Sequence, residues 1–101
     1  MREDHLKAIV AKFEGIETAL ANTAESEEIV RLSRERAQLE PLVSVIRARG
    51  TALSEREGLE AILDDASTDD EMGELAAAEA EELDARLEDL DQQLKVLLLP
   101  R

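Results

Sequence analysis

Few residues of this chain have side chains suited to acid–base, nucleophilic or thiolate chemistry. His5 is the only histidine, and cysteine is absent, which excludes Cys–His pairs, thiolate metal sites and disulfides. The four glycines are dispersed along the chain, so no glycine-rich phosphate loop is expected. We interpret His5 as a solvated residue in the first turn of a helix. The sequence therefore predicts a protein without a catalytic centre and without a cofactor.

Carboxylates are the only potential metal ligands present in number. The pairs Asp64-Asp65 and Asp69-Asp70 lack the spacing of a calcium-binding loop. Acidic residues beside a helix start are already explained by their attraction to the positive end of the helix dipole. Glu81-Glu82 is expected on a convex helical surface, without a cleft that would raise a carboxyl pKa. No metal site is predicted.

A small basic cluster, consisting of Arg31, Arg34 and Arg36, stands out against this acidic background, with Arg47 and Arg49 further along. Local ion pairs on a helix surface, such as Arg31 with Glu35 four residues later, would account for it. The alternative is a contact with RNA or with a partner protein. Arg31, Arg34 and Arg36 are therefore the candidate contact residues.

Charge is unevenly distributed along the 101 residues, whose net charge is −13. Residues 1–63 carry twelve acids and nine Lys or Arg, whereas residues 64–101 carry thirteen acids and three. A surface this acidic disfavours nonspecific nucleic-acid binding. We interpret it as a solvated helix face, with an acidic docking surface for a basic partner as the alternative. No apolar run is long enough for a signal peptide or a membrane span, so a cytoplasmic protein is expected.

The apolar residues are spaced as they are in long helices. A first helix is predicted over about 4–20 and a middle helix over about 26–66 with Ser26 as its N-cap. The apolar period of the middle helix crosses Pro41 without a jump, which favours one helix bent there. Two helices meeting at Pro41 is the alternative. The apolar residues that should line the buried face of each helix form its seam. In the first helix they are Leu6, Ile9, Phe13, Ile16 and Leu20. In the middle helix they are Ile29, Leu32, Leu39, Val43, Ile46 and Leu53, and Arg36 and Gly50 occupy the two positions of the period that are not apolar.

A last helix is predicted over about 69–98, with Ser67 or Thr68 as its N-cap. Its seam alternates steps of four and three over three heptads. The seam residues are Ala76, Ala80, Leu83, Leu87, Leu90, Leu94 and Leu97. The predicted fold is all-α, a single domain over 1–101. The middle and last helices are expected to form an elongated antiparallel hairpin, with the first helix packed alongside, which makes a three-helix bundle. If Pro41 separates two helices, the bundle has four helices.

Three motifs in order resemble the N-terminal domain of the bacterial peptide chain release factor 1 family. They are Arg31-Leu32-Ser33-Arg34-Glu35-Arg36-Ala37-Gln38-Leu39-Glu40-Pro41-Leu42-Val43, then Leu63-Asp64-Asp65 with Glu71-Met72, and last Gln93-Leu94-Lys95-Val96-Leu97-Leu98-Leu99-Pro100. The resemblance spans essentially the whole chain, and the closing leucines and proline favour this family over the sister factor that reads UGA.

The resemblance implies a translation termination factor that acts at UAA and UAG. The family's Gly-Gly-Gln loop and Pro-x-Thr tripeptide do not occur in this sequence and would belong to domains after Arg101. The implied role of this segment is non-catalytic docking on the ribosome, at the large-subunit stalk base, with the class II GTPase release factor as a further partner. A monomer is expected. The alternative is a stand-alone acidic helical adaptor or dimerisation module.

Overall fold

Two short connections divide the chain into three helices. The computed structural model describes residues 3–100, with α1 at Glu3–Asn22, α2 at Ser26–Asp64 and α3 at Asp70–Leu97. No residue within 3–100 lies in a β-strand. The prediction of an all-α fold of three helices is confirmed.

The first connection has a side-chain hydrogen bond at the end of α1 and a backbone hydrogen bond at the start of α2. The Asn22 side-chain amide donates to the carbonyl of Thr18, one turn earlier in α1, at 2.9 Å. The carbonyl of Glu25 accepts from the Ile29 N–H at 2.9 Å. Because the carbonyl of an N-cap residue accepts the first helical hydrogen bond, Glu25 is the N-cap of α2. The prediction of Ser26 was wrong by one position.

The second connection ends in an N-cap that the sequence interpretation placed too early. Asp69 has extended backbone, and its carboxylate accepts from the Met72 N–H at 2.8 Å. Thr68 instead donates its hydroxyl to the carbonyl of Ile62 at 2.7 Å, at the end of α2. Ser67 hydrogen-bonds to the Asp65 carboxylate. Both predicted caps are wrong because these hydroxyls hold the turn itself, which leaves the first turn of α3 to Asp69.

α2 continues through Pro41 as one helix of 39 residues. Its apolar period passes this position without a jump, so the residues on both sides keep the same face toward the core. The alternative of two helices that meet at Pro41 is not observed. The missing N–H of proline removes one helical hydrogen bond, and packing of the flanking turns outweighs that loss.

Contacts divide the chain into two compact units, with the boundary between Ile46 and Arg47. The unit up to Ile46 contains α1 and the first part of α2, and the unit from Arg47 contains the rest of α2 and α3. We call them the first unit and the second unit. In each, a short connection joins two neighbouring helices.

The core of the first unit follows the predicted seams. Its buried side chains are Leu6, Phe13, Ile16, Leu32 and Val43. Ile9, Leu20, Leu39 and Ile46 are half-buried. The seam of α1 and the α2 seam from Leu32 to Ile46 are therefore confirmed. The predicted seam position at Ile29 is wrong, because this side chain in the first turn of α2 is 38% exposed.

In the second unit the buried face of α2 differs from the predicted one. Ala52 is 2% exposed, whereas Leu53 is 39% exposed and Gly50 is open to solvent. Arg49 and Arg56 are half-buried on the same side as Ala52. The prediction of Leu53 and Gly50 as seam positions is therefore wrong. The physical reason is that this part of α2 packs with α3, so a new face is buried after Ile46.

The seam of α3 is confirmed over most of its length. Ala76, Ala80, Leu90 and Leu94 are buried, and Leu83 and Leu87 are half-buried. Leu97 is the exception at 36% exposed. The helix ends at Leu97, and the Leu98 N–H donates to the carbonyl of Leu94 at 2.9 Å. The predicted core position at the last residue of α3, Leu97, is therefore wrong. Over residues 3–100, no helix combines the length and apolar character of a membrane span.

Candidate functional site

The predicted arginine cluster does not form one surface. Residues two apart on a helix point in nearly opposite directions, so Arg34 and Arg36 face different sides of α2. The guanidinium of Arg36 lies 5.0 Å from the centroid of the Phe13 ring. It also pairs with Glu17 at 3.2 Å and with Glu40 at 3.0 Å. Arg36 therefore joins α1 to α2 within the first unit.

Arg31 and Arg34 share the other side of the helix. Arg31 lies 3.6 Å from Glu28 and 3.3 Å from Glu35, and its side chain is 59% exposed. Exposed pairs of this kind contribute at most about 1 kcal/mol, so Arg31 can exchange them for a partner. Arg34 is exposed and has no ion pair among the residues described. The available positive charge on α2 is thus centred on Arg34.

The sequence interpretation missed the ion pairs of Arg49 and Arg56, which join α2 to α3. Arg49 donates to Asp91 at 2.8 Å, and Arg56 donates to Asp84 at 2.8 Å. The two arginines are seven residues apart on α2, and the two aspartates are seven apart on α3, in the opposite order. Matched heptad spacing of opposite charges is a signal that could have predicted this antiparallel register.

Arg56 lies against two acidic side chains of the second unit, Asp84 and Glu60. Its hydrogen bond to Asp84 and the nearby charge of Glu60 raise the pKa of the guanidinium above its usual range. Nη1 of Arg56 lies 3.3 Å from Glu60, in ionic contact but without hydrogen-bond alignment. Arg49 has a side chain only 16% exposed. Both arginines therefore serve the second unit internally, and Arg49 does not extend the basic cluster.

The other residues considered for chemistry lie apart from one another. His5 is exposed in the first turns of α1, and Glu81 and Glu82 are exposed on α3. Asp64 ends α2 and Asp70 begins α3. Among residues 3–100, no group of three or more His, Cys, Asp or Glu side chains is placed to hold a metal ion.

The turn between α2 and α3 carries Asp65, an aspartate with a lowered pKa. The Asp65 carboxylate accepts from the Ser67 hydroxyl at 2.7 Å and from the Ser67 N–H at 2.9 Å. Both hydrogen bonds favour the charged form. They lower the pKa of Asp65 below its ordinary value, with the hydroxyl as the larger cause.

We expect Ser67→Ala to raise the pKa of Asp65 toward the ordinary aspartate value of about 3.9. A lowered folded-state pKa contributes stability above the unfolded pKa, and that contribution is lost as pH falls through the folded pKa. The loss of stability in Ser67→Ala should therefore be greatest near neutral pH and shrink in acid. Carboxyl-detected NMR titration and denaturant unfolding at several pH values measure the two effects. Ser54→Ala, at an exposed position on α2, should alter neither. An unchanged Asp65 titration in Ser67→Ala would contradict the assigned cause.

An open pocket of about 420 Å³ lies beside this turn, and the sequence interpretation missed it. Its walls come from the end of α2, the turn and the first turns of α3, and they include Leu63, Asp65, Asp70, Gly73, Glu74 and Ala77. The surrounding stretch, residues 57–85, contains twelve Asp or Glu and no Lys, Arg or His. We call this feature the turn pocket.

Comparison with known proteins gives one family and a curated relative. Residues 6–101 match the PCRF domain. The chain is similar to peptide chain release factor 1 of Bartonella tribocorum, with 36% identity over 99 residues. That alignment covers 98% of this chain and 28% of the relative, so the chain spans less than a third of the relative's length. No solved structure matches.

Proposed function

Because the chain belongs to the PCRF domain family, we propose that it is the N-terminal helical domain of a class I peptide chain release factor. Such a factor directs release of the nascent peptide at UAA and UAG stop codons. The observation that carries the proposal is the 36% identity to a release factor 1 across nearly the whole chain. In this proposal the domain does no chemistry, since peptide release belongs to a Gly-Gly-Gln domain elsewhere in the protein.

The role proposed for the domain is to dock the factor on the ribosome in the cytoplasm. Its partners are the large-subunit stalk base and the class II GTPase release factor, and it acts as a monomer. The match of residues 6–101 to the PCRF domain and the identity to a release factor 1 support this role. The exposed side of α2 around Arg34 supports a contact with an anionic group, because its charge is not neutralised by a neighbour among the described residues.

Competition on the ribosome tests this function directly. Labelled chain is titrated onto ribosomes that have a stop codon in the A site, and full-length release factor 1 is then added. We expect the chain to bind and to be displaced by the full-length factor. A folded chain that does not bind at low salt would refute ribosome docking. Peptide release by the chain alone would refute the non-catalytic role.

Replacing Arg34 with alanine is expected to weaken ribosome binding several-fold and to reduce its salt dependence. An arginine that contacts one phosphate contributes about one unit to the slope of log affinity against log salt. Arg86→Ala is the matched control, because Arg86 is exposed on α3 and also has no ion pair among the described residues. We expect the control to bind like the unaltered chain. Equal affinity of the Arg34 variant at low salt would exclude Arg34 from the interface.

A further inference from the structure

The turn pocket has apolar surface that nothing in the second unit covers. Leu63 lines it and is 41% exposed, and Ala77, a second lining residue, is also exposed. A Cβ atom built on Gly73 meets no atom within 4 Å, so the space above this glycine is unfilled. A volume of about 420 Å³ falls within the range of about 300–1,000 Å³ typical of ligand pockets. The pocket therefore has room for one or two apolar side chains of a partner.

Two carboxylates beside the pocket are available to a partner. Asp65 is bonded to Ser67, and Asp69 caps α3 through the Met72 N–H. The carboxylates of Asp70 and Glu74 have no hydrogen bond or ion pair among the residues described, although both residues line the pocket. They are neighbours one helical turn apart, and like charges at this spacing repel each other. A cation between them would relieve that repulsion.

The positive charge has to come from outside this part of the chain. No Lys, Arg or His lies between Arg56 and Arg86, and Arg56 is engaged with Asp84 and Glu60. RNA and anionic membranes are repelled by the same carboxylates. Charge complementarity therefore selects a basic polypeptide, and the apolar wall around Gly73 selects one with a leucine-sized side chain between its cations.

We propose that the turn pocket binds a basic protein segment in which an apolar side chain is flanked by lysine or arginine. The apolar side chain packs on Leu63, Gly73 and Ala77, and the flanking cations pair with Asp70 and Glu74. This inference goes beyond the docking function above, because it concerns a different surface, of opposite charge to the one around Arg34. Its test does not depend on whether the chain binds the ribosome.

Titration with synthetic peptides tests the proposal. The probe is a fifteen-residue peptide with two leucines between lysines and arginines, and its binding is followed by fluorescence anisotropy. A second peptide has serine in place of the leucines, and a third has glutamate in place of the cations. We expect only the first to bind measurably. Equal binding of the serine peptide would overturn the proposal, because charge alone would then account for the interaction.

Variants of the chain locate the binding. Gly73→Leu places a side chain in the pocket, at a position where a Cβ atom meets no other atom within 4 Å. It should weaken peptide binding about tenfold or more, the equivalent of burying one leucine side chain. Gly58→Leu is the matched control, since Gly58 is also helical and open but lies outside the pocket, and its affinity should not change. Both changes raise helix propensity, so thermal midpoints should not fall.

The carboxylates are tested with a variant that keeps the pocket open. Asp70→Asn combined with Glu74→Gln should weaken binding several-fold and reduce its salt dependence. Unchanged affinity in this double variant or in Gly73→Leu would overturn the assignment of the site. An equal loss in Gly58→Leu would also overturn it, because the effect would then not be local to the pocket.

Discussion

Replacing Phe13 with alanine should lower the free energy of unfolding by about 3–5 kcal/mol. Phe13 is the only aromatic residue of the chain and is 2% exposed within the first unit. The substitution removes the largest side chain of that core and leaves a cavity. It also removes the ring on which the Arg36 guanidinium lies. Small proteins are stable by only about 5–15 kcal/mol in total, so urea unfolding followed by circular dichroism should show a large shift.

A second substitution at Phe13 separates the stability contributed by its apolar volume from that contributed by the contact of its ring with Arg36. Phe13→Leu keeps most of the apolar volume, so its cost should remain below about 1.5 kcal/mol from packing. The lost contact with Arg36 adds about 0.5–1 kcal/mol, the usual range for a partly exposed cation–π pair. If Phe13→Leu were as destabilising as Phe13→Ala, the assignment of the larger loss to cavity volume would be wrong.

Leu94→Ala should lower the free energy of unfolding by about 2–5 kcal/mol. Leu94 is 0% exposed, and it lies on the seam of α3 in the second unit. The alanine leaves the volume of a leucine side chain empty in a core that otherwise contains several small residues, Ala52, Ala76 and Ala80. Because this core has few large side chains, few neighbouring groups can move in to fill the cavity. Equilibrium unfolding in urea measures the loss.

Leu75→Ala is the matched control for this change. It makes the same substitution in the same helix, but Leu75 is 59% exposed. Since little apolar surface is buried there, the free energy of unfolding should stay within about 0.5 kcal/mol of the unaltered chain. A comparable loss at both positions would show that helix content, rather than burial on the predicted seam, determines the effect.

The helices and most of their buried faces could be predicted from the sequence. Phe13 and Leu94 lie on seams with regular steps of three and four, and such a period survives in the structure because each helix packs one face on its neighbour. The continuous phase on both sides of Pro41 correctly favoured a single middle helix. Helix ends were predicted to within two residues, although the capping residues at Glu25 and Asp69 were not identified.

The failure of the predicted seam in the second part of α2 has a physical cause, which is that one helix can have two partners. The prediction extended the apolar period that includes Leu32 as far as Leu53, as if the same face of α2 were buried along its whole length. Beyond Ile46 the helix packs with α3, and Ala52 is buried instead. The half-buried positions beside it are Arg49 and Arg56, whose charges masked the seam in a search for apolar residues.

The candidate sites were less accessible to sequence reasoning. A run of arginines at positions 31, 34 and 36 looks like one cluster in the sequence, but helical geometry separates its members. Arg36 stacks on Phe13, and Arg34 is left exposed. The turn pocket depends on the shape of a connection and on the missing side chain of Gly73. Neither a period nor a motif encodes such a shape.

The two short connections have a consequence for the speed of folding. Only Thr23, Ala24 and Glu25 separate α1 from α2, and residues 65–69 separate α2 from α3, so each helix meets its neighbour after a small loop is closed. The entropy lost on closing a loop grows with its length, and helical proteins whose contacts are close in sequence fold in microseconds to milliseconds. α2 takes part in both hairpins. A nucleus formed at either connection therefore already contains part of the helix on which the other hairpin is built.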